Sequence, residues 1–209
     1  MKLAVTQKAT SLIAEAEGFD TPGSWPGGQS GVTIGVGYDL GYYTERKFRN
    51  DWSDILSPDV INRLAKAIGV TGENAKFYCR TFGGIEIPKD GALRVFRTIT
   101  LPDFADRAGS TFPGAENLPE DAQGALVSLV FNRGTSLDGP RRVEMLNIRN
   151  AIKNSKADPG ETEQQRVNNL LQYVAGQFRS MKRIWQGQGL DGLLTRRENE
   201  AKLVESCIT

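Results

Sequence analysis

Apolar residues recur at three- and four-residue intervals along most of this chain, the spacing that is typical of amphipathic helices. The first such stretch runs from Val5 to Ala16 and stops before Gly18, a residue type that often ends helices. The segment from there to about Tyr43 is rich in glycine and proline, and apolar and polar residues alternate over 32–39. The pattern therefore predicts an N-terminal helix followed by a loop and short strands.

Beyond this region the pattern is helical. Ser57 and Pro58 supply an N-cap and a first-turn proline for a helix that ends at Gly69. The stretch 119–132 is the most apolar and is the predicted centre of the core. The other predicted helices cover 88–108 with a bend near Pro102, 140–154, 161–185 and the segment after Gly192.

This element order predicts an α+β, mostly helical fold. A chain of 209 residues can bury a sizeable core, and we expect one domain over 1–209. Within it we expect a small lobe with the N-terminal helix and a β-hairpin over about 1–55, and a larger helical lobe over about 56–209.

Composition removes several kinds of chemistry. The chain has no histidine, so catalysis by Ser-His-Asp or Cys-His groups is excluded, and carboxylates are the expected proton carriers. Its cysteines, Cys79 and Cys207, stand far apart and outside any CxxC pattern, which argues against a disulfide framework or a zinc site.

Charge is unevenly distributed although the formal net charge is only +1. Residues 1–128 hold 13 basic and 16 acidic side chains, whereas 129–209 hold 13 basic and 9 acidic ones. The excess of basic side chains in 129–209 fits solvated helix faces, or a C-terminal half that tolerates an anionic polymer. It is too weak to indicate nucleic-acid binding. The start of the chain lacks the features of a signal peptide and no apolar run is long enough to span a bilayer, so we expect synthesis as a soluble cytoplasmic protein.

The glycine-rich stretch allows several interpretations. Gly35-Val36-Gly37 matches the beginning of a GxGxxG loop, but position 40 is Leu40 and no Walker lysine follows, which argues against nucleotide binding. A tight hairpin with Glu17 and Asp39 as ordinary surface acids is the plainer alternative.

The spacing of polar residues favours a functional role for the hairpin. The polar side of the alternating segment carries Thr33, Gly35, Gly37 and Asp39. The two glycines between the threonine hydroxyl and the aspartate carboxylate have no side chain, so we expect this side to be open to a bulky ligand. A straight strand would hold Thr33 about 20 Å from Asp39. The two glycines must therefore bend the chain if both side chains are to act on one atom.

An acid at the end of an apolar helix opposite an acid on a glycine-rich sheet suits glycoside hydrolysis. One carboxyl group, kept protonated by burial and the helix dipole, donates a proton to the leaving oxygen. The other stays ionised and activates water or stabilises the developing positive charge.

Three motifs resemble those of phage-type lysozymes. Glu17-Gly18 followed by VTIGVG at 32–37 resembles the family's catalytic opening, and SLVFNRG at 128–134 resembles the end of its core helix. GLLTRRENEAKL at 192–203 is similar to its Gly-Leu-x-x-Arg-Arg-x-x-Glu helix. The resemblance covers most of the chain and implies a lysozyme-like, bilobed fold with muramidase activity.

The chain departs from most phage lysozymes in one respect. Residues 21–38 contain no acid, and Asp39 instead follows Thr33 by six positions, which resembles the pesticin-like branch of muramidases and endolysins. By that resemblance Glu17 is the general acid, Asp39 is the second carboxylate and Thr33 orients water. Asp20 is the reserve candidate for the second carboxylate.

Four residues are candidates for substrate binding. Asn132 resembles a position that bonds the N-acetyl sugar, although a helix C-cap is the alternative role. Arg197 resembles an arginine that pairs with the catalytic Glu17, with a solvated helix face as the alternative. Gln29 and Tyr38 are expected to line the cleft.

The expected function is hydrolysis of the β-1,4 bond between N-acetylmuramic acid and N-acetylglucosamine in bacterial peptidoglycan, with inversion and without metal or cofactor. We expect a monomer that neither binds nucleic acid nor inserts into membranes. It would stay in the host cytoplasm until released to the periplasm and cell wall, as a phage endolysin or as a delivered toxin. The alternatives are a lytic transglycosylase and a catalytically silent glycan-binding module.

Overall fold

The computed structural model of the protein describes residues 1–156 and 159–209. It confirms a mostly helical chain with one small, two-stranded antiparallel sheet in the described part. The helices are α1 Gln7–Glu17, α2 Glu45–Trp52, α3 Pro58–Leu64, α4 Glu73–Thr81, α5 Lys89–Val95, α6 Leu101–Thr111, α7 Glu120–Arg133, α8 Val143–Asn154, α9 Glu163–Ser180 and α10 Asp191–Glu205; the strands are β1 Thr33–Ile34 and β2 Tyr38–Asp39. No helix in these residues is long and apolar enough to cross a membrane.

The chain forms two compact units that differ from the expected boundary near residue 55. The first unit combines Met1–Ala16 with Pro102–Thr209, and the second is Glu17–Leu101. The reason lies in the packing of the N-terminal helix. The hydroxyl of Thr6, just before α1, donates a 2.6 Å hydrogen bond to the carboxylate of Asp121 in α7, so α1 joins the helices that are distant in sequence.

Aromatic side chains form the core of the second unit. Tyr38 stacks on Tyr43 with ring centroids 4.1 Å apart and meets the edge of Trp52 at 5.5 Å. Phe48 and Trp52, one helical turn apart on α2, are both fully buried. Helix α2 and the helices that follow it thus supply the apolar surface against which the small sheet packs.

Helix α3 begins where the local signals predicted, but it ends at Leu64 and continues as a 3₁₀ turn over Ala65–Ala67 instead of reaching Gly69 as a regular helix. The Ser57 hydroxyl accepts a hydrogen bond from the N–H of Val60, and Pro58 occupies the first helical position, where a missing N–H costs nothing.

Where a bend was expected near Pro102, the structure has a π-helical turn over Phe96–Thr100, between α5 and α6. Proline has no N–H to donate to the carbonyl four residues earlier, so the regular hydrogen-bond ladder cannot continue through this position.

The first unit is built around α7. Every residue from Ala122 to Val130 is buried, which is the behaviour of a helix surrounded by others rather than of an amphipathic surface helix. Helix α10 packs on both α7 and α9, and α8 packs on α9. The predicted centre of the core is therefore confirmed.

A glycine on α7 allows the close approach of α1. A Cβ atom added to Gly124 would lie 2.3 Å from the Cβ of Ala9. Alanine normally stabilises a helix interior relative to glycine by about 0.8–1 kcal/mol, but overpacking a core costs about 1–3 kcal/mol. We predict that Gly124→Ala lowers the free energy of unfolding, by about 1–2 kcal/mol in urea titrations.

Gly176→Ala on α9 is the matched control, because a Cβ added there meets nothing within 4 Å. It should raise the free energy of unfolding by about 0.5–1 kcal/mol. Equal effects of the two substitutions would show that the α1–α7 contact is not tight.

Candidate active site

All three candidate carboxylates belong to the second unit. Glu17 is the last residue of α1, Asp20 lies in the loop that follows and Asp39 ends β2. The Asp20 backbone pairs with Gly35, donating its N–H at 2.7 Å and accepting at 2.9 Å. This bridge holds the loop with Asp20 against the hairpin turn.

The hairpin brings Thr33 and Asp39 together, as the sequence predicted. The register pairs Thr33 with Asp39 and Ile34 with Tyr38. Residues directly opposite each other in an antiparallel pair share a face, with Cβ atoms about 4.5–5.5 Å apart. Thr33 is 5% exposed and Asp39 is half-buried, so the threonine is the more deeply buried member of this pair.

The glycines of the turn act differently from expectation. Gly35 and Gly37 have φ values of +63° and +66°, a region that side chains disfavour, so both permit the reversal. A Cβ on Gly35, however, would lie 2.8 Å from the Cβ of Ala92 and 3.2 Å from the ring of Trp52. The expectation of an open ligand surface at Gly35 is therefore wrong, because α2 and α5 fill that space.

The Asp39 carboxylate is held by backbone donors. Gly31 N–H lies 3.0 Å from both carboxylate oxygens, and Gly41 N–H donates to Oδ1 at 2.8 Å, which caps the 3₁₀ turn Leu40–Tyr42. Burial raises the pKa of Asp39, while these two N–H groups act in the opposite direction. The carboxylate is consequently fixed in orientation beside Thr33.

Asp20 is in the opposite situation. Its half-buried carboxylate accepts no hydrogen bond from any donor in the described residues. Burial raises the pKa of Asp20 to about 6, and the negative charges of Glu17 and Asp39 add to the effect. Asp20 is therefore close enough to both other acids to be affected by their charge, and it keeps its proton to a higher pH than an ordinary aspartate does.

The two other candidates in this unit have different surroundings. Tyr38 is fully buried, stacks on Tyr43 and donates its hydroxyl to Asp51 at 2.8 Å, so its expected role in a substrate cleft is wrong and it is a core residue. Gln29 is exposed in the loop before the hairpin, where its carbonyl accepts from the Tyr42 hydroxyl at 3.0 Å.

Asn132 lies in the first unit, in the last turn of α7. The helix ends at Gly134, which has φ +71° and donates its N–H to the Val130 carbonyl at 2.8 Å. Gly134 is thus the C-terminal cap, and the alternative capping role for Asn132 is wrong. Within the described residues the Asn132 side chain makes no hydrogen bond.

Arg197 also lies in the first unit and is fully buried, so the alternative of a solvated helix face is wrong. Its Nη2 donates to Glu200 at 2.7 Å, and Ser128 donates to the same Glu200 oxygen at 2.5 Å. Arg196 adds a contact to this oxygen at 3.3 Å. The expected pairing of Arg197 with Glu17 stays a prediction.

This buried network was not predicted from the sequence. Its signal was the placement of Arg196 and Arg197 four and three residues before Glu200, the helical spacing that brings side chains into contact. Among the described residues no group of three or more acidic or cysteine side chains could hold a metal ion.

The comparisons with known proteins mark the same unit. Residues 15–101 match a protein family described as Domain of unknown function (DUF8812). This segment contains all three acids and the hairpin, and it nearly coincides with the second unit. No curated protein matches the chain significantly.

The raised pKa of Asp20 predicts a stability that depends on pH. The native state holds this proton more tightly than the unfolded chain, whose pKa is near 3.8, so the free energy of unfolding falls as pH rises from 3.8 to about 6. We predict that Asp20→Asn raises the free energy of unfolding at about pH 7.5 by on the order of 1 kcal/mol, allowing for solvent screening. At about pH 3.5, where both states are largely protonated, the effect should be much smaller.

Urea titrations at the two pH values provide the measurement. Asp54→Asn is the control, because Asp54 is an exposed acid of the same unit. The same gain at both pH values would show that Asp20 is not held in its protonated form by the fold.

Proposed function

We propose that this protein is a glycoside hydrolase that cleaves the β-1,4 bond between N-acetylmuramic acid and N-acetylglucosamine in bacterial peptidoglycan. The observation that carries the proposal is the hairpin register that places Thr33 directly opposite Asp39, together with the half-buried carboxyl of Asp20, on which the charges of Glu17 and Asp39 both act. Glycoside hydrolysis needs one protonated and one ionised carboxyl, and neighbouring acids cannot all ionise freely. The lysozyme-like fold and the resemblance of the three motifs are part of this proposal.

In the proposed mechanism Glu17 donates a proton to the leaving oxygen. Asp39 and Thr33 hold a water molecule on the opposite face of the sugar, and Asp39 takes a proton from that water as it attacks the anomeric carbon. An inverting reaction of this kind needs the two carboxyl groups to be about 6.5–9.5 Å apart, which leaves room for the water.

The hydrogen bonds of Asp39 are compatible with this role. An ionised carboxylate offers about four lone-pair positions, and Gly31 and Gly41 together supply only two N–H donors. The donors prevent rotation of the carboxylate, so a remaining lone pair can accept a proton from water in a defined direction. Asn132 and Gln29 complete the proposed substrate-binding set, whereas Arg197 is fully buried and is not included in it.

We further propose that the enzyme acts as a monomer and without a metal or cofactor. Its substrate contact is with peptidoglycan alone, after release from the host cytoplasm to the periplasm and cell wall by separate machinery.

Analysis of reaction products tests the proposal. Purified sacculi incubated with the protein should release muropeptides whose mass includes one added water, and NMR should show the α-anomer first, because inversion of a β-linkage yields an α-product. Products one water lighter would identify a lytic transglycosylase. The β-anomer appearing first would show that a carboxylate acts as a nucleophile.

Glu17→Gln is the matched control. The amide keeps the shape of the side chain and loses the proton, so clearing of a sacculus suspension should slow by about 10²- to 10⁴-fold while the thermal unfolding midpoint is retained. A folded Glu17→Gln protein with normal activity would exclude this mechanism, and binding of sacculi without cleavage by the wild type would indicate a silent glycan-binding module.

A second set of variants separates the roles of the other two acids. We predict that Asp39→Asn reduces the clearing rate nearly as much as Glu17→Gln, because it removes the base. Thr33→Ala should have an intermediate effect, since the water loses one of its two partners. Asp20→Asn should be mild at about pH 7, because a carboxyl with a pKa near 6 is already ionised and takes no assigned step.

The clearing rates should be measured with the unfolding midpoint of each variant, since Asp39 also caps a turn. A severe loss in Asp20→Asn together with a mild one in Asp39→Asn would assign the base to Asp20 instead.

A further inference from the structure

Three arginines gather at the end of α7 in the first unit, and we call Arg133, Arg141 and Arg142 the arginine cluster. A guanidinium nitrogen of Arg133 donates a hydrogen bond to the backbone carbonyl of Arg141. The Arg133 guanidinium also lies 4.8 Å from the ring centre of Trp185, a buried residue. These contacts hold Arg133 in one orientation on an aromatic surface.

In the described part of the chain the arginine cluster has no partner of opposite charge. Within the described residues, no carboxylate forms an ion pair with any of its three members. Glu144, the acid whose charge favours ionised Arg133, is bonded at 2.5 Å to Arg183. The acids of residues 1–156 and 159–209 therefore leave the charge of the cluster without an ion pair.

Arg133 carries a specific unmet requirement. Its Nε–H is buried and has no hydrogen-bond partner among the described residues. Burial, followed by the positive charges of Arg142, Arg197 and Arg141, lowers the pKa of Arg133 to about 10, so it is still charged at neutral pH. An unpaired donor on a charged group is costly in a folded protein.

We propose that the arginine cluster binds a carboxylate, and that in the substrate this group is a carboxylate of the peptide stems that peptidoglycan carries. The substrate assignment rests on the proposed function. A guanidinium offers planar, paired donors that match the two oxygens of a carboxylate. Three guanidinium groups gathered at one place suit a small anion, whereas a nucleic-acid backbone is bound by extended rows of cations.

The charge distribution along the chain agrees with this assignment. The excess of 13 basic over 9 acidic side chains lies in residues 129–209, which include all three arginines of the cluster. Most other basic groups of α9 and α10 are paired with acids, so the arginine cluster accounts for much of the unpaired positive charge in this half of the chain.

The test measures binding separately from cleavage. The Glu17→Gln protein is sedimented with intact sacculi and with sacculi whose carboxyl groups have been converted to amides by carbodiimide and ammonia. We expect binding to the amidated sacculi to be about ten- to hundredfold weaker, the loss that corresponds to hydrogen bonds with a charged group.

Variants then locate the site. Arg142→Gln, added to Glu17→Gln, should weaken binding to intact sacculi about tenfold and leave binding to amidated sacculi unchanged. Arg133→Lys should behave similarly, because it retains the charge and loses the planar pair of donors. Arg80→Gln on α4 is the matched control, since it removes the same charge from an exposed helix position and should leave binding unaltered.

Equal binding to intact and amidated sacculi would overturn the proposal. The same conclusion would follow if Arg142→Gln and Arg80→Gln bound intact sacculi equally well. It would also follow if duplex DNA at a comparable concentration displaced the protein from intact sacculi. Should Arg133→Lys fail to fold, Arg142→Gln decides, since the one hydrogen bond of the Arg142 side chain to the described residues is a 3.5 Å contact to the sulfur of Met145. If the wild-type protein bound sacculi through their carboxylates but cleaved none, the proposed hydrolase activity would be refuted and the carboxylate site would stand. Equal cleavage of intact and amidated sacculi would refute the carboxylate site alone.

Discussion

The candidate site depends on the hydrogen bonds that the Asp39 carboxylate accepts from two backbone N–H groups. Gly31 and Gly41 stand before and after the hairpin, so one side chain ties together the loop that enters it and the turn that leaves it. A Cβ on Gly31 would lie 2.3 Å from the carboxylate oxygen, which shows how closely the chain approaches it. This closure sets the register that places Thr33 opposite Asp39.

The same closure concentrates negative charge. The bridge between Asp20 and Gly35 brings a second carboxyl to the hairpin, where no donor in the described residues neutralises it. A fold selected only for stability would not place like charges together in a half-buried position, and such arrangements are common where proton transfer is needed. The aromatic core around Tyr38 and Trp52 provides the rigid support that this arrangement requires.

Much of the backbone could be predicted because its causes are local. Ser57 and Pro58 start α3 through interactions within one helical turn, and the apolar run of 119–132 becomes the buried helix α7. The π-helical turn before Pro102 fits the missing N–H of the proline, and the hairpin follows from glycines that adopt positive φ. Glu17, Thr33 and Asp39 could be proposed as a group because their spacing around this hairpin can be read directly from the chain.

Other features were decided by contacts between distant residues. Periodicity shows that Tyr38 faces the apolar side, but only the helices packed there make it a core residue instead of a cleft residue. The elevated pKa of Asp20 and the unmet donor of Arg133 depend on burial and on nearby charges, which sequence spacing does not determine. The sequence by itself therefore determined where helices and turns begin and which acids stand near the hairpin. The tertiary structure decided which side chains are buried, which are charged and which lack a hydrogen-bond partner, because these properties depend on neighbours that are brought together only by folding.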